Sequence, residues 1–367
     1  MRILVLLTEA YGAPGGIQQF NRDLLSALCS HPDVSEVVAV PRLQITKSEP
    51  LPEKLTYVTE GLNSKVRFVL AVLRAAYTRG DFDLIVVAHV NLLPLLHFLH
   101  WMVRSPVLLV VHGSEAWAPG TLFVRHSLKA VDWVVSVSEL TKARFCDWSR
   151  FPSDRVFLLP NCVDLGRFSP GKKGAALEER YGLKGRTVLM TFGRLSASER
   201  AKGFDEVLEA LPELQKQIPG LCYLICGDGS DRYRLERKAK ELKIEKDVVF
   251  AGYVDESEKV DHFRIADAYV MPSRMEGFGI VLLEAMACGI PVVASKIDGS
   301  REAVHNGEWG VLVDPDNPEE IKAGIMEALR RPKGVRPQGL EYCDTANFEQ
   351  RTHRIVNSIL ETGRKDA

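Results

Sequence analysis

The stretch from Ala266 to Ser295, ADAYVMPSRMEGFGIVLLEAMACGIPVVAS, leaves this chain few folds to choose from. Asp267 to Met271 is a short apolar run closed by Pro272-Ser273. Ile280 to Cys288 has helical character, with Gly289 as a stop just past its end. Pro291 to Ala294 reads as the next buried strand. Strand, helix and strand in that order demand a parallel crossover, and hence an α/β sheet. Between the first strand and the helix lies Glu276-Gly277-Phe278-Gly279. Two glycines in four residues let backbone N–H groups approach a ligand at a helix N-terminus, where the helix dipole is positive.

Two carboxylates frame this loop. Glu276 opens it, and Glu284 follows with seven residues between. Glu284 sits among Val281, Leu282, Leu283, Ala285, Met286 and Ala287, so its helix is apolar all round and is expected to be buried. A carboxylate there needs a reason, because a buried unpaired charge is costly. Helical side chains lean toward the N-terminus, so Glu284 is placed to serve a ligand that also meets Glu276. The plainer alternative is that Glu284 pairs with a core arginine and Glu276 caps the helix.

This pattern, with the Gly-Ile-Pro-Val-Val strand behind it, resembles the Glu-x7-Glu signature of retaining nucleotide-sugar glycosyltransferases of family four. The resemblance implies the GT-B architecture, an α/β fold of two Rossmann-like domains facing across a cleft. It also implies that Glu276 and the amides of Gly277, Phe278, Gly279 and Ile280 hold the donor sugar, while Glu284 holds the ribose. On that division of labour a sugar-free nucleoside diphosphate never meets Glu276.

The length of 367 residues suits two domains. We place them at about 1–165 and 166–345, with a last helix from about 346 packing back on the first. A net charge of −1 speaks against a nucleic-acid binder. Seven scattered cysteines without a C-x-x-C pair fit reduced thiols better than a disulfide framework or a zinc site. The apolar opening Met1–Leu7 is too short for a signal peptide and reads as a buried strand. No apolar run reaches the length of a membrane span. The expected location is therefore cytoplasmic, with weak peripheral membrane contact allowed.

In chain order, the first strand enters Glu9-Ala10-Tyr11-Gly12-Ala13-Pro14-Gly15-Gly16 and then a helix with Ile17, Phe20, Leu24, Leu25 and Leu28 on one face. This suits either a phosphate cradle or a tight turn. The resemblance places Gly15 and Gly16 against the donor diphosphate. Val34 to Val40 is a strand, and residues 41–60 read as loop. Asn63 to Tyr77 is a basic amphipathic helix, expected to pack on the sheet with its charged face solvated.

Strands at Leu84–Ala88, Val107–Val111 and Trp133–Val137 each end in polar residues, the edge where parallel sheets bind ligands. His112 ends one of them. It is either a structural hydrogen-bonder or, as the resemblance implies, a contact to the donor sugar. Asp81-Phe82-Asp83 and Asp314-Pro315-Asp316 imitate metal motifs but read as turn and capping chemistry. Cys162 stands where the family usually has a glycine, which puts the local backbone geometry in question.

The second half repeats the grammar. After the strand Thr187–Phe192 comes a loop from Gly193 to Gly203 with two cations suited to a phosphate, Arg194 and Lys202, while Arg200 reads as a solvated loop charge. The resemblance gives Arg194 and Lys202 the donor diphosphate and the backbone at Tyr253 and Val254 the base. The expected activity is retaining hexosyl transfer from GDP-mannose or a UDP-hexose to a glycan, lipid-linked or small-molecule acceptor. The catalytic set is His112, Arg194, Lys202 and Glu276, with no metal or other cofactor. Ala13-Pro14 in place of a Lys disfavours a glycogen-synthase-like polymerase, and Glu-x7-Glu disfavours a sugar-nucleotide epimerase. A catalytically silent nucleotide-sugar sensor is the alternative from another class.

Overall fold

The computed structural model describes residues 1–12, 15–43, 50–99, 105–197 and 200–363. Ala13-Pro14, Ser198-Glu199, His100 and part of the expected 41–60 loop lie outside the described residues. The chain divides into two compact units, one of Met1–Cys162 with the segment from Thr345 onward, the other of Val163–Asp344.

In unit 1 the elements are β1 (Arg2–Leu7), α1 (Gly16–Ser30), β2 (Glu36–Pro41), β3 (Leu55–Tyr57), α2 (Lys65–Arg79), β4 (Leu84–Val87), α3 (Leu96–Leu99), β5 (Val107–Val111), α4 (Leu122–Ser127), β6 (Trp133–Ser136), α5 (Glu139–Ser149) and β7 (Val156–Leu158). Its sheet is parallel, ordered β3-β2-β1-β4-β5-β6-β7. The strands are continuous runs of Val, Leu and Ile because both faces are covered, so every residue of β4 and β5 is buried. Strand β3 lies inside the segment read as loop. Three residues between polar neighbours show no usable period.

Unit 2 runs α6 (Ala175–Tyr181), β8 (Thr187–Phe192), α7 (Phe204–Gln217), β9 (Leu221–Cys226), α8 (Arg232–Glu241), β10 (Val248–Gly252), α9 (Lys259–Ile265), β11 (Ala268–Met271), α10 (Ile280–Ala287), β12 (Val292–Ser295), α11 (Ser300–Ala303), β13 (Val311–Val313) and α12 (Pro318–Arg330). The parallel order is β10-β9-β8-β11-β12-β13. Strand order reverses between β8 and β11, and the loops leaving those two strands are the ones that carry Lys202 and Glu276. In such sheets the reversal opens a crevice at the carboxyl ends of the strands.

The metal look-alikes have structural partners within the protein. The Asp83 carboxylate accepts from the Arg2 N–H at 2.7 Å. Asn317 caps α12, accepting from the Glu319 and Glu320 N–H groups, and Asp314 accepts from the Asp316 N–H. Cys162 is buried with a negative φ, so the position does not require a glycine.

The last helix, α13 (Thr345–Gly363), packs on α1, where Phe20 meets Phe348 edge-on and His31 meets His353 at 4.6 Å. His31 accepts the Asp33 N–H on Nδ1 at 3.2 Å, so Nε2 carries the proton and donates to Asn357 at 3.1 Å. Burial and the neighbouring His353 keep its pKa below the ordinary value. The unfolded chain, with an ordinary histidine near 6.5, takes up a proton that the folded chain refuses. This contribution to stability is intact above about pH 6.5 and declines as pH falls below it. Thermal unfolding should show His31→Gln costing about 1 kcal/mol at pH 8. The variant should also lose less stability than the parent between pH 7 and pH 5.

Candidate functional site

The loop after β8 is held by its neighbours before any ligand is considered. Gly193 N–H donates to Cys226 O, Leu195 N–H to Asp228 O and Asp231 N–H to Leu195 O, all within 3.0 Å. These bonds zip residues 193–195 to the loop that follows β9. Arg194 leaves this zipped segment exposed to solvent. Farther along, a single turn, Arg200–Lys202, precedes α7. Arg200 ion-pairs with the buried Asp231 at 3.2 Å and is itself about half exposed. It is a tied loop charge rather than part of the site.

The loop after β11 lies against that turn. Arg274 donates its N–H to Ala201 O at 2.8 Å, and its guanidinium binds Asp316, Pro315 O and Glu206. This clamp was not legible in the sequence, where Arg274 has no periodic or motif context. Glu276 then meets Lys202 in an ion pair of 2.8 Å, both side chains about three-quarters buried. Glu276 therefore does not cap α10. The cap position is Gly279, at φ 96°, a left-handed conformation in which no side chain is needed and few L-residues are stable. Phe278 and Gly277 are buried beside it. The N–H groups at the start of α10 face the same end of the sheet, the geometry that favours an anion or a hydroxyl oxygen.

Glu284 is 4% exposed, in the middle of α10. Its partner is a lysine, not the core arginine of the plainer reading: Lys259 Nζ lies 2.6 Å from Oε1, at the start of α9. Glu256 stands 3.5 Å from the same ammonium, and Arg167 2.9 Å from Glu256. Burial lifts the Glu284 carboxyl above its ordinary value, and Lys259 opposes that rise. Burial disfavours the Lys259 charge too, but Glu284 and Glu256 outweigh it and hold the ammonium above its usual range. The second oxygen, Glu284 Oε2, is buried with no hydrogen-bond partner among the described residues. A buried carboxylate oxygen without a donor is expensive to maintain, and a ligand hydroxyl is the kind of group that would satisfy it.

Among the other residues singled out from the sequence, Val254 is buried and Tyr253 is 62% exposed, immediately past β10. In unit 1, Gly15 and Gly16 are exposed at the start of α1, where Gly15 is the cap residue. His112 ends β5. Its Nε2 donates to Ala88 O at 2.9 Å, and its N–H reaches Glu115 Oε1 at 2.6 Å. Burial holds its pKa below the ordinary value despite Glu115, so the ring is neutral with Nδ1 as its acceptor. One ring nitrogen is thus held by the backbone, as the structural reading has it, and the other is left as an acceptor. Beside it His89 is also buried, with Nδ1 accepting from the Asn91 N–H.

The structure also shows residues that the sequence reasoning passed over. Lys259 follows the charged run Asp255-Glu256-Ser257-Glu258, which carries no motif. Asp298 follows β12 in Asp298-Gly299-Ser300, a sequence that reads as an ordinary helix cap. It is fully buried beneath the Glu276 loop.

Residues 177–339 match the family described as Glycosyl transferases group 1, and residues 14–167 match Glycosyltransferase Family 4. A GDP-mannose-dependent alpha-(1-6)-phosphatidylinositol monomannoside mannosyltransferase of Mycolicibacterium smegmatis is 34% identical over 271 residues, 70% of each chain. A phosphatidyl-myo-inositol mannosyltransferase of the same organism is 30% identical over 98% of this chain and 91% of its own. Among solved structures, Anabaena HepE in complex with UDP and glucose superposes with a TM-score of 0.78 at 20% identity, covering 98% of this chain and all of the other.

The Lys259–Glu284 pair makes a stability prediction. Lys259→Met strands a buried carboxylate and should cost about 3–5 kcal/mol in urea unfolding. The double variant Lys259→Met/Glu284→Leu removes both charges and should recover most of that loss. A double variant as unstable as the single one would show that the pair is not what ties α9 to α10.

Proposed function

Because the chain belongs to the glycosyl transferases of group 1, with a family 4 N-terminal part, we propose that it transfers a hexosyl group with retention from a nucleotide-diphosphate sugar to a glycolipid acceptor. GDP-mannose is the donor best supported, since the mannosyltransferase relatives include one named for it. A phosphatidylinositol-type lipid is the corresponding acceptor. The observation that carries the reading is the meeting of Lys202 and Glu276 at the strand-order reversal, with the unsatisfied Glu284 Oε2 beneath.

In this reading the bond from the anomeric carbon to the leaving phosphate oxygen breaks as the acceptor oxygen bonds to the same face. The acceptor proton passes to the departing diphosphate. Lys202 and Arg194 meet the charge that grows on that diphosphate, where preorganised donors are most effective. Glu276 and the amides of Phe278 and Gly279 orient the sugar, and Glu284 accepts a ribose hydroxyl. Gly15, Gly16 and His112, on unit 1, carry the roles that the family resemblance gives them. Two cations on the diphosphate supply what a metal would, and transfer is proposed to need none.

The ion pair alters one expectation. A sugar-free nucleoside diphosphate does not touch Glu276, but it competes with Glu276 for Lys202. Glu276→Gln should therefore bind GDP more tightly, by about three- to tenfold for a partly exposed pair worth about 0.5–1.5 kcal/mol. The same variant should lose about 10²-fold in transfer from GDP-mannose in excess EDTA. Calorimetry with GDP, beside transfer to phosphatidylinositol vesicles, tests both halves. Transfer that stops in EDTA and returns with manganese would sink the role of the two cations.

A glycolipid acceptor requires the enzyme to reach a membrane surface. No described helix is long and apolar enough to cross one. Helix α2 packs with its charged face solvated as expected, but that face also carries apolar residues. Val66, Leu70 and Tyr77 are 60–81% exposed, interleaved with exposed Lys65, Arg67 and Arg74. Apolar and basic side chains on one exposed helix suit the interface of an anionic bilayer. Flotation with anionic vesicles in low salt should carry the protein up. Leu70→Glu with Arg74→Glu should abolish this, and high salt should weaken it.

A further inference from the structure

Glu276 reaches its position through a loop that has no regular structure, so something outside the loop must fix it. The contacts converge on one buried group, the carboxylate of Asp298, which sits past β12 in the neighbouring βα unit. Asp298 Oδ2 accepts from the Glu276 N–H at 2.9 Å and from Ser273 Oγ at 2.7 Å. Its Oδ1 accepts from the Ser300 N–H at 3.0 Å and from Ser300 Oγ at 2.5 Å. Gly299 N–H, the next donor in the chain, reaches Glu276 O at 2.8 Å. The Glu276 peptide unit is thus gripped at its N–H by Asp298 and at its C=O by Gly299.

The fit is also steric. A Cβ on Gly299 would stand 2.0 Å from Gly277 O and 2.9 Å from Glu276 O, so only glycine lets the two loops lie this close. Burial lifts the Asp298 carboxyl above its ordinary value while the four donors pull it back. Charge-assisted bonds of this kind are stronger and shorter than neutral ones.

We propose that Asp298 is a positioning residue, holding the Glu276 loop in the geometry from which the Glu276 carboxylate and the Phe278 and Gly279 amides meet the donor sugar. The inference rests on the proposed glycosyl transfer for its kinetic consequence, but its structural consequence stands by itself. Asp298 does not touch the sugar. It acts through the loop, and Ser273 and Ser300 share its load. Loss of the clasp loosens the sugar contacts and leaves the diphosphate contacts of Arg194 and Lys202 in place.

The test uses the full chain and two variants, Asp298→Asn and the milder Ser273→Ala, which removes one donor to Oδ2. Amide exchange followed by mass spectrometry should show residues 274–279 exchanging at least tenfold faster in Asp298→Asn, and to a smaller degree in Ser273→Ala. With GDP-mannose and phosphatidylinositol vesicles, kcat should fall about 10- to 100-fold in Asp298→Asn, the size of effect expected from a small misplacement. The Kd for GDP should stay within about threefold of the parent. Gly299→Ala should reproduce this pattern. Unchanged exchange in both of the first two variants would overturn the inference. So would a loss of GDP binding as large as the loss in kcat, because the role would then be general folding. If Asp298→Asn does not fold, Ser273→Ala decides by the same two readings. A parent protein that binds neither GDP nor any nucleotide sugar would overturn the proposed function, while the exchange result would still decide the role of Asp298.

Discussion

In unit 2 the strand order reverses between β8 and β11, and the meeting of Lys202 with Glu276 depends on the reversal. Loops from adjacent parallel strands leave toward opposite faces of the sheet there, so a gap opens at their carboxyl ends. The chain fills it with one loop that brings a cation and one that brings a carboxylate and two glycines. Neither loop is self-supporting. The first is zipped to the loop after β9, and the second is clamped by Arg274 and clasped by Asp298.

Charged groups at this gap stand against an opposite charge or under a set of donors. Lys202 stands on Glu276, Lys259 on Glu284, and Asp298 under four donors. The physical reason is the cost of holding ions in a partly dry place, which is tolerable only when they compensate one another. A ligand with both a diphosphate and hydroxyl groups can replace those compensations piece by piece. The exception, Glu284 Oε2, shows where compensation is incomplete.

Much of this is legible in the sequence. The apolar runs of β8, β11 and β12 announced a parallel sheet, because buried parallel strands are uninterrupted by polar residues, and the Glu-x7-Glu spacing marked the glycine loop between β11 and α10. Strand β3 was not legible, since a half-buried three-residue strand carries no period. Nor were the apolar residues on the outer face of α2: periodicity finds the buried Phe68, Val72 and Ala75, but does not say whether Val66, Leu70 and Tyr77 are covered.

By itself, then, the sequence determined the class of fold, the order of the elements and the stretch where two carboxylates frame a glycine loop. These follow from local patterns: hydrophobic period, glycine placement and capping residues. Partnership is different. That Glu276 answers to Lys202, 74 positions away, that Glu284 answers to Lys259 rather than an arginine, and that Asp298 carries the loop of another βα unit were decided only by the tertiary structure. Charges far apart in the chain become neighbours through the packing of strands and helices, and no local pattern records which of several lysines or aspartates will arrive.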